Sequence, residues 1–221
     1  MSRKLEEFVF QSPIFQLWKK DVESTGTQIS KIDVLSVISR SPGKLFSVFI
    51  DTEMITPEGE RVPRCMLLRG KSVVIVPVVH CDDGETYTLM IKQRRPVDGS
   101  YVTEFPGGMC DSEDESPASL AIREIQEELG LSVKAEDLKP LQNEPIKVCT
   151  GMLDEQIYFF YFETNISQKE LANFDGSLTG HHHDGEFLVV QVVKMSEVTE
   201  NLNCSALVGI KLLEKVLNRN F

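Results

Sequence analysis

Residues 107–131 read GGMCDSEDESPASLAIREIQEELGL, the most informative segment of the chain. It begins with two glycines, passes through an acidic segment and ends in a segment with strong helix signals. Glu124, Glu127 and Glu128 fall within five residues there. Residues three and four apart share one face of a helix, so these carboxylates crowd together and repel one another. A bound divalent cation would remove the repulsion, and carboxylate oxygens are preferred ligands of Mg²⁺ and Mn²⁺.

Local signals mark both ends of the helix that carries these glutamates. Ser116 predicts an N-cap, and Pro117 fits the first helical position. Gly130 predicts the end of the helix. Upstream, a strand pattern breaks at the Pro-Gly-Gly sequence 106–108. The predicted order is therefore strand, glycine loop, acidic loop and helix, and such a glycine loop lets backbone carbonyls approach a cation closely.

The segment 123–131, Arg-Glu-Ile-Gln-Glu-Glu-Leu-Gly-Leu, resembles the second half of the Nudix box, Arg-Glu-(aliphatic)-x-Glu-Glu-x-Gly-(aliphatic). It matches at every fixed position, and the gap back to Glu115 also fits. The first half departs from the pattern, because six residues separate Gly108 from Glu115 where the family has five. We interpret this as one extra residue in the acidic loop, which leaves the helix unchanged. The resemblance implies a Nudix metal site.

The same residues allow two alternatives to that site. Asp111, Glu113 and Glu115 alternate like the opening ligands of a calcium-binding EF-hand loop. Such a loop needs Gly at its sixth position and Glu at its twelfth. Ser116 and Ile122 stand there, so the EF-hand interpretation fails. The other alternative is an acidic, solvated helix that holds no metal.

Composition limits the class of protein and its partners. The chain has 221 residues, 41% hydrophobic and 26% charged, as in a soluble globular protein of one large domain or one domain with a small appendage. Its net charge of −11 argues against broad binding to nucleic acid or to an anionic membrane. A small anionic substrate is still compatible, because a bound metal reverses the field locally.

The cysteines and the N-terminus indicate a cellular compartment. Five scattered cysteines without a Cys-x-x-Cys pair predict neither a disulfide framework nor a zinc site, and they fit the cytoplasm or another reducing compartment. The N-terminus contains Glu6 and Glu7 and has no apolar core typical of a signal peptide. No apolar run approaches the length of a membrane span. Organelle targeting stays open.

Two parts of the chain differ in pattern. Residues 1–70 hold a helix pattern after Ser12-Pro13 and an alternating pattern over 45–70 that predicts an antiparallel hairpin. Residues 71–221 hold most of the predicted strands and end in an amphipathic helix over 203–218. The strands are predicted at 72–79, 87–92, 156–163 and 186–193. We expect an N-terminal extension or β-domain over 1–70, a catalytic domain over 71–221, and an α+β fold.

The Nudix resemblance covers about residues 70–218 and implies a mixed β-sheet sandwiched between helices. Lys-Gln-Arg-Arg-Pro at 92–96 and Glu-Phe-Pro-Gly-Gly at 104–108 are similar to the ADP-sugar diphosphatase branch. The helix with Phe-x-Leu-Trp at 15–18, with Arg-Gly at 69–70, is most similar to plant-type enzymes acting on ADP-glucose and ADP-ribose. In this branch an N-terminal β-domain pairs two subunits, so the resemblance implies a homodimer.

One departure leaves the substrate open within nucleoside diphosphate sugars. ADP-ribose hydrolases commonly carry a Ser-Pro-Gly-like turn beyond the box. Cys149-Thr150-Gly151 stands in that place, and Pro145 is not followed by glycine. A UDP-sugar, a dinucleotide or capped RNA is an alternative substrate, although the acidic charge disfavours long RNA. A non-catalytic Nudix module that senses a nucleotide is a further alternative, and the intact carboxylate set argues against it.

The chemistry implied by the resemblance is hydrolysis of a pyrophosphate bond with Mg²⁺ or Mn²⁺ as cofactor. We expect Glu124 and Glu128 to bind the metal directly, with Glu127 bridging to it or positioning a water. The resemblance adds the Gly107 carbonyl as a ligand. Arg123 is expected to orient the glutamates by an ion pair rather than to touch the substrate.

The general base is expected in the loop 174–186. In the ADP-sugar branch a glutamate from a loop beyond the sheet often deprotonates the attacking water, and Glu186 is our preferred candidate. Asp175 and Asp184 are alternatives in the same loop. The histidines 181–183 are candidates for metal binding or for the base, because histidine titrates near neutral pH.

Five residues are candidates for substrate binding. Arg94 and Arg95 can clamp phosphates, since guanidinium matches phosphate oxygens in bidentate fashion; the alternative is surface arginines beside a turn. Glu104 and Phe105 precede the glycine loop and can bind or stack on the nucleotide, although Phe105 fits a core position equally well. Glu155, just before a strand, is a candidate for contact with the ribose.

Overall fold

The computed structural model describes residues 3–41, 44–110, 115–180, 187–201 and 203–221. Strands and helices alternate irregularly along the chain, which confirms the predicted α+β class. The chain divides into two units. The first unit comprises residues 1–72, 109–115 and 146–157. The second unit comprises residues 73–108, 116–145 and 158–221.

Two helices open the first unit. They are α1, Arg3–Phe10, and α2, Pro13–Ser24. Ser12 caps α2, because its hydroxyl oxygen accepts a hydrogen bond from the Phe15 amide at 3.4 Å, and Pro13 lies in the first turn. The helix predicted after Ser12-Pro13 is therefore confirmed, whereas the sequence pattern did not predict α1.

A three-stranded antiparallel sheet, in the order β1-β2-β3, forms the rest of the N-terminal part. The strands are β1, Gln28–Ser41, β2, Lys44–Ile55, and β3, Cys65–Leu68. The predicted hairpin is present as the β2–β3 pair, in which Val48 lies opposite Leu68. β2 also pairs with β1, over a longer stretch than with β3. The sequence did not predict β1. Register shifts, such as those at Ile29/Lys31 and Val34/Ser36, interrupt the period-two pattern of β1 and hide it in the sequence.

The core of the first unit lies between α2 and this sheet. Phe15 and Trp18 of α2 are buried with their ring centroids 5.5 Å apart, and they belong to one cluster with Val48, Ile50 and Leu68. Burial of such apolar side chains is the main favourable term in folding. The apolar face of α2 therefore packs this helix against the sheet.

Asp154 joins a distant segment to the end of β3 in the first unit. Its Oδ1 accepts hydrogen bonds from the backbone amides of Arg69 at 2.5 Å and Gly70 at 3.3 Å. The amide of Gln156 donates to the Gly70 carbonyl at 2.9 Å beside them. Burial raises the pKa of the Asp154 carboxyl above its ordinary value of 3.8, although the two amide hydrogen bonds act in the opposite direction.

Asp154→Asn is expected to change the pH dependence of stability. Because the folded-state pKa of Asp154 is raised, its neutral form contributes stability that is fully present below about pH 4 and is lost as the pH rises through the folded-state pKa. Asparagine keeps an acceptor oxygen for the two amides and does not titrate. Urea denaturation at several pH values should show the wild type losing stability relative to the variant as the pH rises above about 4.

The exposed Asp137 supplies the matched control. Asp137→Asn should leave the pH dependence close to that of the wild type. A wild-type protein that gains stability relative to Asp154→Asn as the pH rises would contradict the assignment.

The second unit is organised on a mixed β-sheet. The remaining strands of the chain are β4, Lys71–Cys81, β5, Thr86–Arg94, β6, Tyr101–Glu104, β7, Gly107–Met109, β8, Lys139–Pro140, β9, Ile146–Lys147, β10, Gln156–Ile166, β11, Leu178–Thr179, and β12, Leu188–Lys194. The sheet has the order β11-β12-β5-β4-β10-β8, with β6 beside β5, β7 beside β4 and β9 beside β10. The four strands predicted in the catalytic part correspond to β4, β5, β10 and β12. β4 lies between two neighbours, which explains its continuous apolar run.

Helices accompany this sheet in the second unit. They are α3, Pro117–Glu124, which continues as a π-helical turn, Ile125–Leu129; α4, Gln168–Phe174; a 3₁₀ helix, Met195–Glu200; and α5, Cys204–Leu217. The predicted C-terminal helix is confirmed as α5. One core cluster joins β4, β5 and β12 to the π-helical turn through Val79, Leu89, Val190 and Leu129. Among the described residues, no helix has the length and apolar character needed to cross a bilayer.

Candidate active site

The helix that carries the three glutamates begins and ends where the sequence predicts. We name residues 117–129 the site helix. The hydroxyl oxygen of Ser116 accepts a hydrogen bond from the Ser119 amide at 3.1 Å and caps it, and Pro117 follows as the first helical residue. Gly130 ends it in the left-handed conformation with φ +68°, which glycine adopts at little cost. These three residues define the site helix through local chemistry alone.

The last five residues of the site helix, 125–129, wind as a π-helix. π-Helical turns are rare and occur mostly at functional sites. Glu127 and Glu128 lie within this turn, and Glu124 immediately precedes it. The uniform α-helical spacing that the sequence suggested for the glutamates therefore does not extend over the last turn.

Glu124 and Glu128 point into the protein. They are 9% and 8% exposed, and charged side chains are this buried only when they are paired or bind a metal. Glu128 Oε2 accepts a hydrogen bond from the Gly107 amide at 2.9 Å. Glu124 Oε1 lies 3.1 Å from Arg123 Nη1. Both carboxylates are thus held in place by fixed donors.

Two consecutive glycines face these carboxylates. The predicted glycine loop forms the short strand β7, and the structure leaves no room for a side chain on either glycine. A Cβ atom on Gly107 would lie 2.3 Å from the Val73 carbonyl oxygen. A Cβ atom on Gly108 would lie 2.2 Å from Glu124 Oε1. Gly107 is therefore required by the close approach of β7 to the β4 backbone, whereas a side chain on Gly108 would displace the Glu124 carboxylate.

Arg123 links two of the glutamates. Its Nη1 lies 3.1 Å from Glu124 Oε1 and 3.0 Å from Glu127 Oε2. Glu127 is half-buried, so it lies at the edge of the site rather than inside it. An arginine between two carboxylates restricts their relative orientation.

The donor set fits a hard divalent cation. The Glu124, Glu127 and Glu128 carboxylates and the Gly107 carbonyl supply oxygen only, which suits Mg²⁺ or Mn²⁺ rather than a thiophilic metal. Within the described ranges, no three His, Cys, Asp or Glu side chains converge closely enough to form a ready metal cluster. Arg123 and the Gly107 amide hold the glutamate oxygens instead.

Arg94 and Arg95, which the sequence treats as equivalent, differ in their surroundings. Arg95 Nε donates to Glu104 Oε2 at 2.7 Å. Arg94 stacks over the Tyr101 ring, 4.1 Å from the centroid, and donates to the Gly99 carbonyl at 2.7 Å. Arg94 is the last residue of β5, whereas Arg95 lies in the turn that follows it, so the adjacent arginines reach different partners. The exposed Tyr101 is part of this arrangement, and the sequence offered no signal for it.

Phe105 lies in the core, which the sequence left open as an alternative to stacking on the nucleotide. Its side chain is 4% exposed, and its ring lies against Gly209 of α5. Glu155 belongs to the first unit, where its Oε1 lies 3.9 Å from Arg69 Nη2. The Arg69 guanidinium in turn lies 4.8 Å from the centroid of the Phe46 ring.

The candidates for the general base are only partly covered by the described residues. Asp175 Oδ1 accepts a hydrogen bond from the Val192 amide at 3.1 Å. Glu186, Asp184 and the histidines 181–183 fall outside the described residues.

Comparison with known families decides the classification. The NUDIX domain matches residues 69–210, most of the chain. The protein belongs to the Nudix family. The match confirms the family that the box indicated, and together with hydrolase relatives it identifies the protein as a Nudix hydrolase.

Relatives of this Nudix hydrolase come from several organisms. It is 26% identical over 218 residues to Nudix hydrolase 14, chloroplastic, of Arabidopsis thaliana, covering 92% of this chain and 70% of the relative. It is 32% identical over 125 residues to the ADP-sugar pyrophosphatase of Mus musculus, covering 53% of this chain and 56% of the relative. A crystal structure of an ADP compounds hydrolase superposes with a TM-score of 0.59 at 18% identity, covering 87% of this chain and 94% of that one. The structural likeness confirms the fold.

Gly108→Ala is expected to inactivate this Nudix hydrolase. The added methyl group would collide with the Glu124 carboxylate, and a displacement of about 1 Å in an active site can cost about a hundredfold in rate. We therefore expect the hydrolytic turnover to fall by about that factor. Steady-state kinetics and thermal unfolding of the same preparation would measure the effect.

Gly151→Ala is the matched control, because a Cβ at Gly151 meets nothing within 4 Å. Its turnover should equal that of the wild type. A folded Gly108→Ala enzyme with undiminished turnover would show that the contact with Glu124 is not needed.

Proposed function

We propose that the protein hydrolyses the pyrophosphate bond of ADP-sugars, ADP-ribose or ADP-glucose, to AMP and a sugar phosphate with Mg²⁺ or Mn²⁺ as cofactor. The observation that carries the proposal is the burial of Glu124 and Glu128 against Gly107 and Gly108 in a chain of the Nudix family. The choice of ADP-sugars is supported by the mouse relative, an ADP-sugar pyrophosphatase, and by the solved ADP compounds hydrolase.

The metal would be held by the carboxylates of Glu124, Glu127 and Glu128 and by the Gly107 carbonyl. When bound, a divalent cation neutralises diphosphate charge and lowers the pKa of a water molecule. The three carboxylates and the single guanidinium of Arg123 leave an excess of negative charge at this end of the site helix, which favours capture of a cation.

The protein orients these groups before the substrate arrives. The Gly107 amide holds Glu128 at 2.9 Å, and Arg123 holds Glu124 and Glu127. Groups fixed in advance do not have to reorganise during the reaction, which lowers its barrier. We assign Glu127, the least buried of the three, to the positioning of the attacking water.

The proton of the attacking water passes to a general base, and Glu186 is our proposal for that role. Asp175 is the candidate of the same loop within the described residues, where one carboxylate oxygen accepts the Val192 amide. The second oxygen of that carboxylate retains acceptor capacity.

Substrate phosphates are proposed to bind the arginines of the β5–β6 hairpin. The ion pair with Glu104 is formed through Arg95 Nε, so it orients the planar guanidinium whose terminal nitrogens can donate to phosphate oxygens. Arg94, stacked on Tyr101, is proposed as a second phosphate contact. Phe105 acts through packing, and Glu155 is proposed to contact the ribose.

Glu128→Gln is expected to lower turnover by at least about a hundredfold while the fold survives, because glutamine keeps the acceptor for the Gly107 amide and removes the negative charge. Products of ADP-ribose, ADP-glucose, UDP-glucose and a dinucleoside polyphosphate would be identified by chromatography with Mg²⁺ and with Mn²⁺. We expect AMP and a sugar phosphate from the ADP-sugars.

Glu200→Gln, at an exposed position of the 3₁₀ helix, is the matched control and should retain wild-type turnover. Faster cleavage of UDP-glucose would replace the ADP-sugar assignment with the UDP-sugar alternative. Binding of these nucleotides without any cleavage would instead indicate a sensing module.

We also propose that residues 1–70 pair two copies of the chain. β1 lies at the edge of the three-stranded sheet and carries Leu35 and Ile38, which are 48% and 53% exposed. An exposed apolar edge strand invites pairing with another chain. The double substitution Leu35→Lys and Ile38→Lys should convert a dimer to a monomer in sedimentation velocity measurements.

Leu178→Lys, which places a charge on an exposed leucine of β11, is the control for charge alone. It should leave the oligomeric state unchanged. A wild-type protein that sediments as a monomer at all concentrations would refute the pairing.

A reducing compartment, the cytoplasm or an organelle, is proposed as the site of action. The thiols of Cys65, Cys149 and Cys204 are exposed, and exposed thiols persist where the surroundings are reducing. The Arabidopsis relative is named as chloroplastic, which supports an organelle as one option.

A further inference from the structure

The N-terminal end of helix α5 contacts β6, the strand that precedes Gly107 and Gly108. Asn203 caps α5, since its Oδ1 accepts the Ala206 amide at 2.8 Å. The Nδ2 of the same side chain donates to the Thr103 carbonyl at 2.6 Å. The Thr103 hydroxyl donates to Gln191 Oε1 at 2.8 Å, so β6 is fixed between α5 and β12 at this residue.

A second contact lies further along α5, at Gly209. This glycine is buried, and a Cβ atom on it would lie 2.9 Å from Phe105 Cε2 and 3.1 Å from Val76 Cγ2. The Phe105 ring therefore rests directly on the helix backbone. Glycine is the least favourable residue in a helix interior apart from proline, so the helix itself gains nothing from it. The close approach of Phe105 explains its presence.

Pro106 and Gly107 connect Phe105 to the proposed metal-binding end of the site. The Pro106 carbonyl accepts the Ile75 amide at 2.9 Å, which fixes the chain on β4. Gly107 follows, and its amide holds Glu128 at 2.9 Å. A displaced Phe105 ring would therefore shift the amide that orients a proposed metal ligand.

We propose that Gly209 is a positioning residue for the proposed metal site. Because Gly209 has no side chain, the Phe105 ring can pack against the backbone of α5. This packing fixes the position of the Gly107 amide, which in turn orients the Glu128 carboxylate. The inference rests on the proposed metal-dependent function. It assigns α5, which supplies no residue to the proposed metal site, a part in metal affinity.

The test measures Mn²⁺ binding to the whole protein by calorimetry in the absence of substrate. Gly209→Val should weaken Mn²⁺ binding between about ten- and a hundredfold, the range typical of groups that orient metal ligands, and Gly209→Ala should weaken it less. Leu207→Ala, at a more exposed position of the same helix, is the control and should bind Mn²⁺ as the wild type does.

A rescue variant separates positioning from a general loss of stability. Phe105→Leu removes the ring atoms that meet the new side chain, so Phe105→Leu combined with Gly209→Ala should bind Mn²⁺ more tightly than Gly209→Ala alone. Measured against both single variants, Phe105→Leu and Gly209→Ala, such a departure from additivity indicates that the two residues are coupled. If Gly209→Val does not fold, Mn²⁺ binding is compared between Gly209→Ala and the double variant of Phe105→Leu with Gly209→Ala.

The outcomes distinguish this inference from the proposed function. If the wild type binds Mn²⁺ and the folded Gly209 variants bind it equally well, the positioning role is refuted and the proposed function stands. If Leu207→Ala weakens binding as much as Gly209→Ala, the effect belongs to α5 in general and the role is refuted as well. If the wild type binds no Mn²⁺ even with a nucleotide analogue present, the proposed metal dependence fails first.

Discussion

The burial of two carboxylates against two consecutive glycines is the constraint on which the rest of the second unit depends. Removing Glu124 and Glu128 from water is costly unless fixed donors compensate. The Gly107 amide and Arg123 provide that compensation, and the lack of a Cβ on Gly108 leaves space for the Glu124 carboxylate. The apolar residues of the site helix and the buried strand β4 then keep β7 and the site helix in this close contact.

Features that arise from neighbouring residues could be predicted from the sequence. The N-cap at Ser116, the left-handed stop at Gly130 and the buried strand β4 each follow from local chemistry or from an uninterrupted pattern. β1 could not be predicted, because register shifts break its alternation. The π-helical turn also has no signature in the sequence, since residues 125–129 would suit an α-helix equally well.

In the candidate site, too, features with a local cause could be predicted from the sequence, and features with a long-range cause could not. The glutamates and glycines stand out because their types and spacing indicate a cation. The different environments of Arg94 and Arg95 depend on where β5 ends and its turn begins, which a sequence motif does not specify. The contact between Gly209 and Phe105 depends on how a C-terminal helix packs on a distant strand, and a lone glycine in a helical pattern gives no indication of its neighbour.

The double ion pair of Arg123 has a consequence for the protein when the proposed metal site is empty. The guanidinium acts as an internal counter-ion, because it neutralises part of the charge of Glu124 and Glu127 when no cation does so. Structural zinc domains, in contrast, unfold once their ion is removed. Under the proposed metal dependence, chelation should therefore inactivate the enzyme without denaturing it, so that occupancy of the proposed metal site follows the free cation concentration reversibly.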